Sequence, residues 1–302
     1  MSEARTQRGR RGDLVVITGC DSGIGRSLAE VLRGRGYVVA ASYLESNPFE
    51  GTPGVHARQL DLRRPSDIDG FIDFVKELTE SGHTLATTVS NAGVALGGPI
   101  EDLPMSLLRE VFEINFFGAA RIVQAFIPEL IASRGRIVVV GSLAGRVALP
   151  FLSPYASSKF ALEGFCDSLR RELNPFGVRT ILIEPAAVST PIWDRAKGQD
   201  ISFVSPKYRE SLGAFETNFV NGGRNGIPAD DAARTIADAL EARRPARRYI
   251  VGGGLVSALV PHVPAAVLDA YVARWLKMDY GSHPDAGSRA KATDAGRTGS
   301  MP

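Results

Sequence analysis

Seven short strand patterns, with helical patterns between them, allow few folds. They lie at Leu14–Thr18, Tyr37–Ser42, Val55–Gln59, Thr87–Ser90, Arg136–Gly141, Val178–Ile183 and Tyr249–Val251. This alternation predicts an α/β fold, a doubly wound parallel sheet of about seven strands covered on both faces. Its first unit carries a second signal. The run Asp13-Leu-Val-Val-Ile-Thr18 leads into Gly19-Cys-Asp-Ser-Gly23-Ile-Gly25 and then into a helical pattern over Arg26–Arg35. A glycine turn alone is a weak signal, since many tight turns contain one. Placed after a strand and before a helix, its glycines let the backbone approach a pyrophosphate, and the helix N-terminus stabilises the negative charge.

Chemistry enters at Tyr155-Ala-Ser-Ser-Lys159. Residues four apart share one helix face. A phenol titrates near ~10 and is a poor acid-base group at neutral pH. A cation beside it favours the phenolate and is expected to lower that value. Ser142 closes the apolar run Arg136-Ile-Val-Val-Val-Gly-Ser142, and its hydroxyl can hold a carbonyl oxygen. Together the three read as a proton-transfer site for an alcohol–ketone couple. Tyr-x-x-x-Lys recurs by chance on ordinary helix faces, so the weight comes from the surrounding motifs.

With Asn91-Ala-Gly93 and Asn115, these motifs resemble the short-chain dehydrogenase/reductase family over roughly residues 13–252. The resemblance implies a Rossmann-type fold and an oxidoreductase acting on CH–OH groups. It implies a catalytic tetrad of Asn115, Ser142, Tyr155 and Lys159. In this reading Lys159 also bonds the nicotinamide ribose, and Asn115 holds a water relay leading to the lysine. The cofactor residues it implies are Gly19, Ser22, Gly23, Ile24 and Gly25 in the turn, and Tyr43 after the second strand. They continue with Asp61 and Leu62 beside the adenine, then Asn91, Ala92 and Gly93. Pro185, Val188 and Thr190 complete them near the carboxamide, along with Tyr155 and Lys159. Ala186 stands where the family has glycine, which leaves the local turn geometry open.

The position that commonly carries an acid for the NAD ribose, roughly eighteen after Gly25, holds Tyr43. No arginine or lysine adjoins it, and Ser22 is not basic. The missing phosphate partner favours NAD(H), with NADP(H) left open. Leu149, Phe151, Leu152 and Pro154 lie between Ser142 and Tyr155, and a long segment, Ser189–Gly226, carries Trp193, Phe203, Tyr208, Phe215 and Phe219. This segment reads as a lid, with most of its aromatics packing it onto the domain. An apolar pocket border favours a lipophilic small-molecule substrate. The turn Gly19-Cys-Asp-Ser-Gly23 is similar to that of the retinol and 17β-hydroxysteroid dehydrogenase branch. A reductase of carrier-bound 3-oxoacyl chains and a non-catalytic nicotinamide-binding regulator are the alternatives.

A chain of 302 residues, 44% hydrophobic, suits a single domain over 13–279 with a sizeable core. A net charge of +2 gives no case for nucleic acid. Cys20 and Cys166 lack disulfide or metal spacing, so packing is the expected role of each, no metal site is expected, and a reducing cytoplasmic setting follows. Residues 1–12 read as a basic solvated tail without the apolar stretch of a signal peptide, and 280–302 as a polar disordered tail. A homo-oligomer is expected.

Helix expectations are specific in three places. One helix starts after Pro65-Ser66, capped by Ser66 with Asp69 at capping-box distance. A long one spans about Ser106 to Ser133, with a bend at Pro128. Pro228 starts another. Ile250–Leu268 carries no charge over nineteen positions. Its three glycines, Pro261 and Pro264 argue against a spanning helix. It reads as the last strand, a turn and a C-terminal helix near Pro264–Met278. That helix can cover the pocket, a subunit interface or a membrane surface, core packing being the leading reading.

Overall fold

The computed structural model describes residues 12–278; the two predicted tails lie outside the described residues. In chain order the elements are β1 (Leu14–Ile17), α1 (Gly23–Gly34), β2 (Val38–Tyr43), β3 (Val55–Gln59), α2 (Pro65–Glu80) and β4 (Leu85–Ser90). There follow α3 (Met105–Phe112), a π-helical segment (Glu113–Gly118), α4 (Ala119–Ala125), α5 (Ile127–Ser133), β5 (Arg136–Val140), α6 (Ser153–Leu173) and β6 (Arg179–Pro185). The lid region comprises β7 (Val188–Ser189), α7 (Ile192–Lys197), α8 (Arg209–Phe215), a second π-helical segment (Glu216–Val220), α9 (Asn221–Arg224) and β8 (Ile227–Pro228). The chain closes with α10 (Ala229–Glu241), β9 (Arg248–Val251), α11 (Gly254–Leu259) and α12 (Ala265–Trp275).

The sheet is parallel throughout, in the order β3-β2-β1-β4-β5-β6-β9. This is the doubly wound Rossmann-type arrangement that the alternating runs predict. Period-two alternation divides the core. Val15 and Ile17 of β1 pack with Leu28 and Leu32 of α1 and Ile236 of α10 on one face. Leu14 and Val16 pack with Phe71 of α2, Ile122 of α4 and Leu162 of α6 on the other. Strand order reverses between β1 and β4, so a crevice opens at their carboxyl ends, the usual ligand position in such sheets. Cys20 and Cys166 are free and buried, as the packing reading expects.

Three local expectations are corrected. The helix expected over Ser106–Ser133 is broken. A π-helical segment interrupts it, and it bends by 50° at Phe126. Pro128 stands in the first turn of α5, because its ring cannot follow the carbonyl four residues back, and the break falls before it. Ser66 does not cap α2. Pro65 takes the first helical position, Arg64 becomes the N-cap without a side-chain bond, and the Ser66 hydroxyl meets Asp67 at 3.3 Å. The apolar stretch after β9 contains the extra helix α11 before the expected C-terminal one. Among the described residues no single helix is long and apolar enough to cross a membrane.

Phe151, Leu152, Phe215, Val220, Val272 and Leu276 form a smaller third core. Trp193, Tyr208 and Phe219 pack against it, so these lid aromatics chiefly hold the lid to the domain. Two-residue strands β7 and β8 pair in parallel and join the two feet of the lid.

Candidate active site

The glycine turn works through steric exclusion. Gly19 has φ +72°, and a Cβ there would lie 2.8 Å from the Ala92 Cα. A Cβ on Gly25 would lie 2.1 Å from the Gly19 carbonyl oxygen. The turn is therefore folded onto the end of β4 at a distance that only glycine permits. Asn91 fastens it, with Nδ2 donating to the Thr18 and Gly19 carbonyls at 2.9 and 3.0 Å. The Thr18 hydroxyl accepts from the Asn91 and Ala92 amides at 3.0 and 3.1 Å. Ser22 makes no side-chain cap at the N-terminus of α1, whose first residues, Gly23 and Ile24, line a large cavity. Uncapped helix N–H groups and a turn too tight for side chains fit a dinucleotide pyrophosphate.

That cavity measures about 1190 Å³ and runs from the end of β2 to the lid and α12. Every sequence-predicted site residue lines it except Gly25 and Asn115. Gly25 lies beneath the turn. Asn115 is buried in the first π-helical segment, a kind of helix irregularity that recurs at functional sites. Its Nδ2 donates to the Val94 carbonyl at 2.9 Å and to the Ser158 hydroxyl at 3.0 Å, while Oδ1 accepts from the Val94 amide at 2.8 Å. The side chain thus clamps the loop after β4 to α6.

The Ser142 hydroxyl lies close enough to the Tyr155 phenol to favour its ionised form. The Ser142 hydroxyl also accepts from the Ala144 amide at 3.1 Å and donates to the Pro185 carbonyl at 3.5 Å. Lys159 is buried one turn beyond Tyr155. Its Nζ donates to the Val140 carbonyl at 3.0 Å and sits 5.7 Å from the centre of the tyrosine ring. Burial pushes the ammonium down to about 8. Burial also raises the Tyr155 phenol above its ordinary value, opposed by the Ser142 hydroxyl. The lysine is expected to favour the phenolate; its ammonium does face the ring, and burial acts against that effect.

Asp21 is the site residue that sequence reasoning missed. Its carboxylate accepts from the Leu44 amide at 2.9 Å and the Glu45 amide at 2.8 Å, at the end of β2. The signal was an acid inside a glycine turn that must abut that strand end. Two cations also lie at this side of the cavity, both paired. Arg63 bonds Asp61 at 2.8 Å and Glu110 at 2.9 Å, which holds the Asp61 carboxyl below its usual value. Arg195 of α7 faces Glu45 at 3.6 Å. Asp61 lines the cavity as expected, with its carboxylate engaged by Arg63. Glu184, fully buried at the end of β6, faces Arg146 at 3.6 Å and Arg248 at 3.1 Å, tying the turn after Ser142 to the edge strand.

A family model described as short chain dehydrogenase matches residues 13–200. The chain belongs to that family. It is an NAD(P)-dependent oxidoreductase acting on CH–OH groups. This short-chain dehydrogenase is 31% identical to the NADPH-dependent 3-dehydrocapnine reductase of Ornithobacterium rhinotracheale, over 87% of this chain and 96% of that one. It is 34% identical to human 11-beta-hydroxysteroid dehydrogenase type 2, over 80% of this chain but only 64% of the human protein. Among solved structures, a short-chain dehydrogenase from Streptomyces avermitilis superposes with a TM-score of 0.71 at 26% identity, covering 93% of this chain and 100% of that one.

Proposed function

We propose that this dehydrogenase interconverts a lipophilic alcohol and its ketone or aldehyde, with Tyr155 as the acid-base group and NAD(H) as the favoured cofactor. The observation that carries the reading is the junction of the Ser142–Tyr155–Lys159 cluster with an apolar cavity. Leu149, Leu212, Phe215, Phe219, Leu268 and Trp275 wall its lid side. The glycine turn and the N-terminus of α1 would hold a nicotinamide cofactor, which would accept hydride in oxidation and donate it in reduction. Ser142 holds the substrate oxygen by hydrogen bonding. In oxidation Tyr155 Oη takes the hydroxyl proton as the carbinol C–H bond gives up its hydride, and in reduction it returns that proton. Lys159 places positive charge beside the ring face, where it stabilises the phenolate formed when Tyr155 gives up its proton. The lid and the α12 side chains exclude water from the reacting atoms.

The names of the relatives span steroid and short hydroxy-acid substrates, including 11-beta-hydroxysteroid and D-beta-hydroxybutyrate dehydrogenases, so the lipophilic reading rests on the cavity wall. The turn shared with the retinol and 17β-hydroxysteroid branch supports the same reading. A carrier-protein partner calls for a cluster of unpaired cations at the cavity mouth, whereas Val256, Val263, Val267 and Tyr271 form its α11–α12 side and the lid cations Arg195 and Lys197 are paired with Glu45 and Glu216. A panel of lipophilic alcohols and ketones with both cofactors, followed at the nicotinamide absorbance, tests the proposal. Cofactor binding without turnover across the panel would support the regulator reading instead. Along a homologous series, each added methylene contributes up to about 0.8 kcal/mol, so kcat/KM is expected to rise as much as about fourfold per carbon until the cavity is filled. A flat response, or preference for sugar-like compounds, would defeat the lipophilic reading.

The NAD preference rests on the end of β2. Asp21 already occupies the Leu44 and Glu45 amides, and Glu45 adds a second carboxylate. An additional phosphate there meets two acids and no unpaired cation on β2. Leu44→Arg supplies a charged donor of the kind that contributes about 1.5–3 kcal/mol. The variant is expected to raise kcat/KM for NADP at least about tenfold relative to NAD. If the unaltered chain strongly prefers NADP, the preference inference fails, and Arg63 and Arg195 become the phosphate partners to test.

A further inference from the structure

Six large apolar side chains lie on one small region: Leu255, Val256 and Leu259 of α11, Val263 in the following loop, and Val267 and Tyr271 of α12. All but Val263 are between 56% and 76% exposed. Single exposed apolar residues need no explanation, but a contiguous group of this kind marks an interaction surface. On α12 the exposed stripe is helical, since Val267, Tyr271 and Arg274 fall at i, i+4 and i+7. Asp269 lies off that stripe. Tyr271 stacks on Trp275 with ring centres 6.4 Å apart, placing two amphipathic rings at its edge, and the exposed Arg274 ends it with a cation.

The same region forms the mouth of the cavity. Val256, Val263, Val267 and Tyr271 are at once exposed and part of the cavity wall. We propose that this rim seats on a lipid surface, so that the lipophilic substrate passes between bilayer and cavity without crossing water. The proposal rests on the lipophilic reading above.

The occupant follows from position and chemistry. Residues 279–302 contain only Tyr280 and Met301 as large apolar residues and 1–11 only Met1, so neither segment supplies an apolar face matched to the patch. A second copy sealed on the rim would close the mouth through which substrate must pass. A bilayer surface covers the rim and is itself the reservoir of the substrate. Aromatic rings and a flanking cation suit the headgroup boundary, where amphipathic rings and basic side chains favour binding.

The test is co-sedimentation of the full chain with phosphatidylcholine vesicles, with and without phosphatidylglycerol. The unaltered chain is expected to pellet with vesicles. Leu255→Asp combined with Leu259→Asp, positions outside the cavity wall, is expected to lower the partition coefficient at least about tenfold. The pair should leave the thermal midpoint within a few degrees and the turnover of a short, water-soluble alcohol within about twofold of the starting values. Leu255→Ser with Leu259→Ser removes the apolar groups without adding charge and is expected to lose several-fold. An unaltered chain that stays in the supernatant at high lipid overturns the proposal. So does a dimer, seen by light scattering, that the Asp pair dissolves while vesicles capture nothing. Vesicle binding is read without turnover, so failure of the substrate panel leaves this result separately legible.

Discussion

Tyr155→Phe is expected to lower kcat by about a thousandfold while leaving cofactor affinity nearly unchanged. A positioned proton-transfer group contributes typically 10²–10⁴-fold, and this substitution removes the only atom of Tyr155 that can carry the proton. The ring stays, so the wall of the cavity is kept. The Ser142 hydroxyl keeps the Ala144 amide and the Pro185 carbonyl. Turnover with a good substrate and cofactor titration by fluorescence separate the two effects. A variant that keeps most of its kcat removes Tyr155 from the acid-base role. The pH–rate profile adds a second check. Because burial raises the phenol, oxidation by the unaltered enzyme should gain rate with rising pH through the alkaline range.

Lys159→Met is expected to do two opposite things, lowering activity at least about a hundredfold and raising thermal stability at neutral pH. The lysine is 4% exposed, and burial takes its ammonium from an ordinary value of 10.5 down to about 8. Its native value lies below its unfolded one, so the charged form is disfavoured by folding. At one pKa unit per about 1.4 kcal/mol, the penalty is up to about 3 kcal/mol below pH 8. It fades as pH rises from about 8 to about 10.5. Methionine fills a similar volume without charge, and the loss of the Val140 hydrogen bond offsets part of the gain. The midpoint should therefore rise by a few degrees at pH 7 and converge with that of the unaltered chain near pH 10.5. A lower midpoint at pH 7 would mean that Lys159 is chiefly a structural tie.

The sheet was legible because its inner strands β1, β4, β5 and β6 are largely buried and write apolar, β-branched runs into the chain, whereas the edge strands β3 and β9 are partly exposed. The turn and the Ser142–Tyr155–Lys159 spacing were legible because the chemistry demands residue types at fixed separations. Other features depend on parts distant in sequence. Asp21 is an ordinary turn acid until β2 brings the Leu44 and Glu45 amides to it. The two-residue ladder β7–β8 depends on a lid closing over itself, with no local signal at Val188 or Ile227. Helix α11 starts at Gly254, within Gly252-Gly253-Gly254, a run that reads as a turn and nothing more. The raised Tyr155 phenol depends on burial by parts distant in sequence, which its neighbours in sequence cannot report.

The β7–β8 ladder makes the lid a cassette. Val188 pairs with Ile227 and Ser189 with Pro228, so the intervening stretch leaves and rejoins the domain at one point. Changes of length or composition within it are insulated from the sheet, and the cost of closing a longer loop grows slowly. The cofactor half and the proton-transfer cluster can stay fixed while the roof drifts. Selection for a new alcohol would then act first on the segment between Thr190 and Gly226, and grafting that segment between relatives should transfer substrate range without rebuilding the machinery beneath.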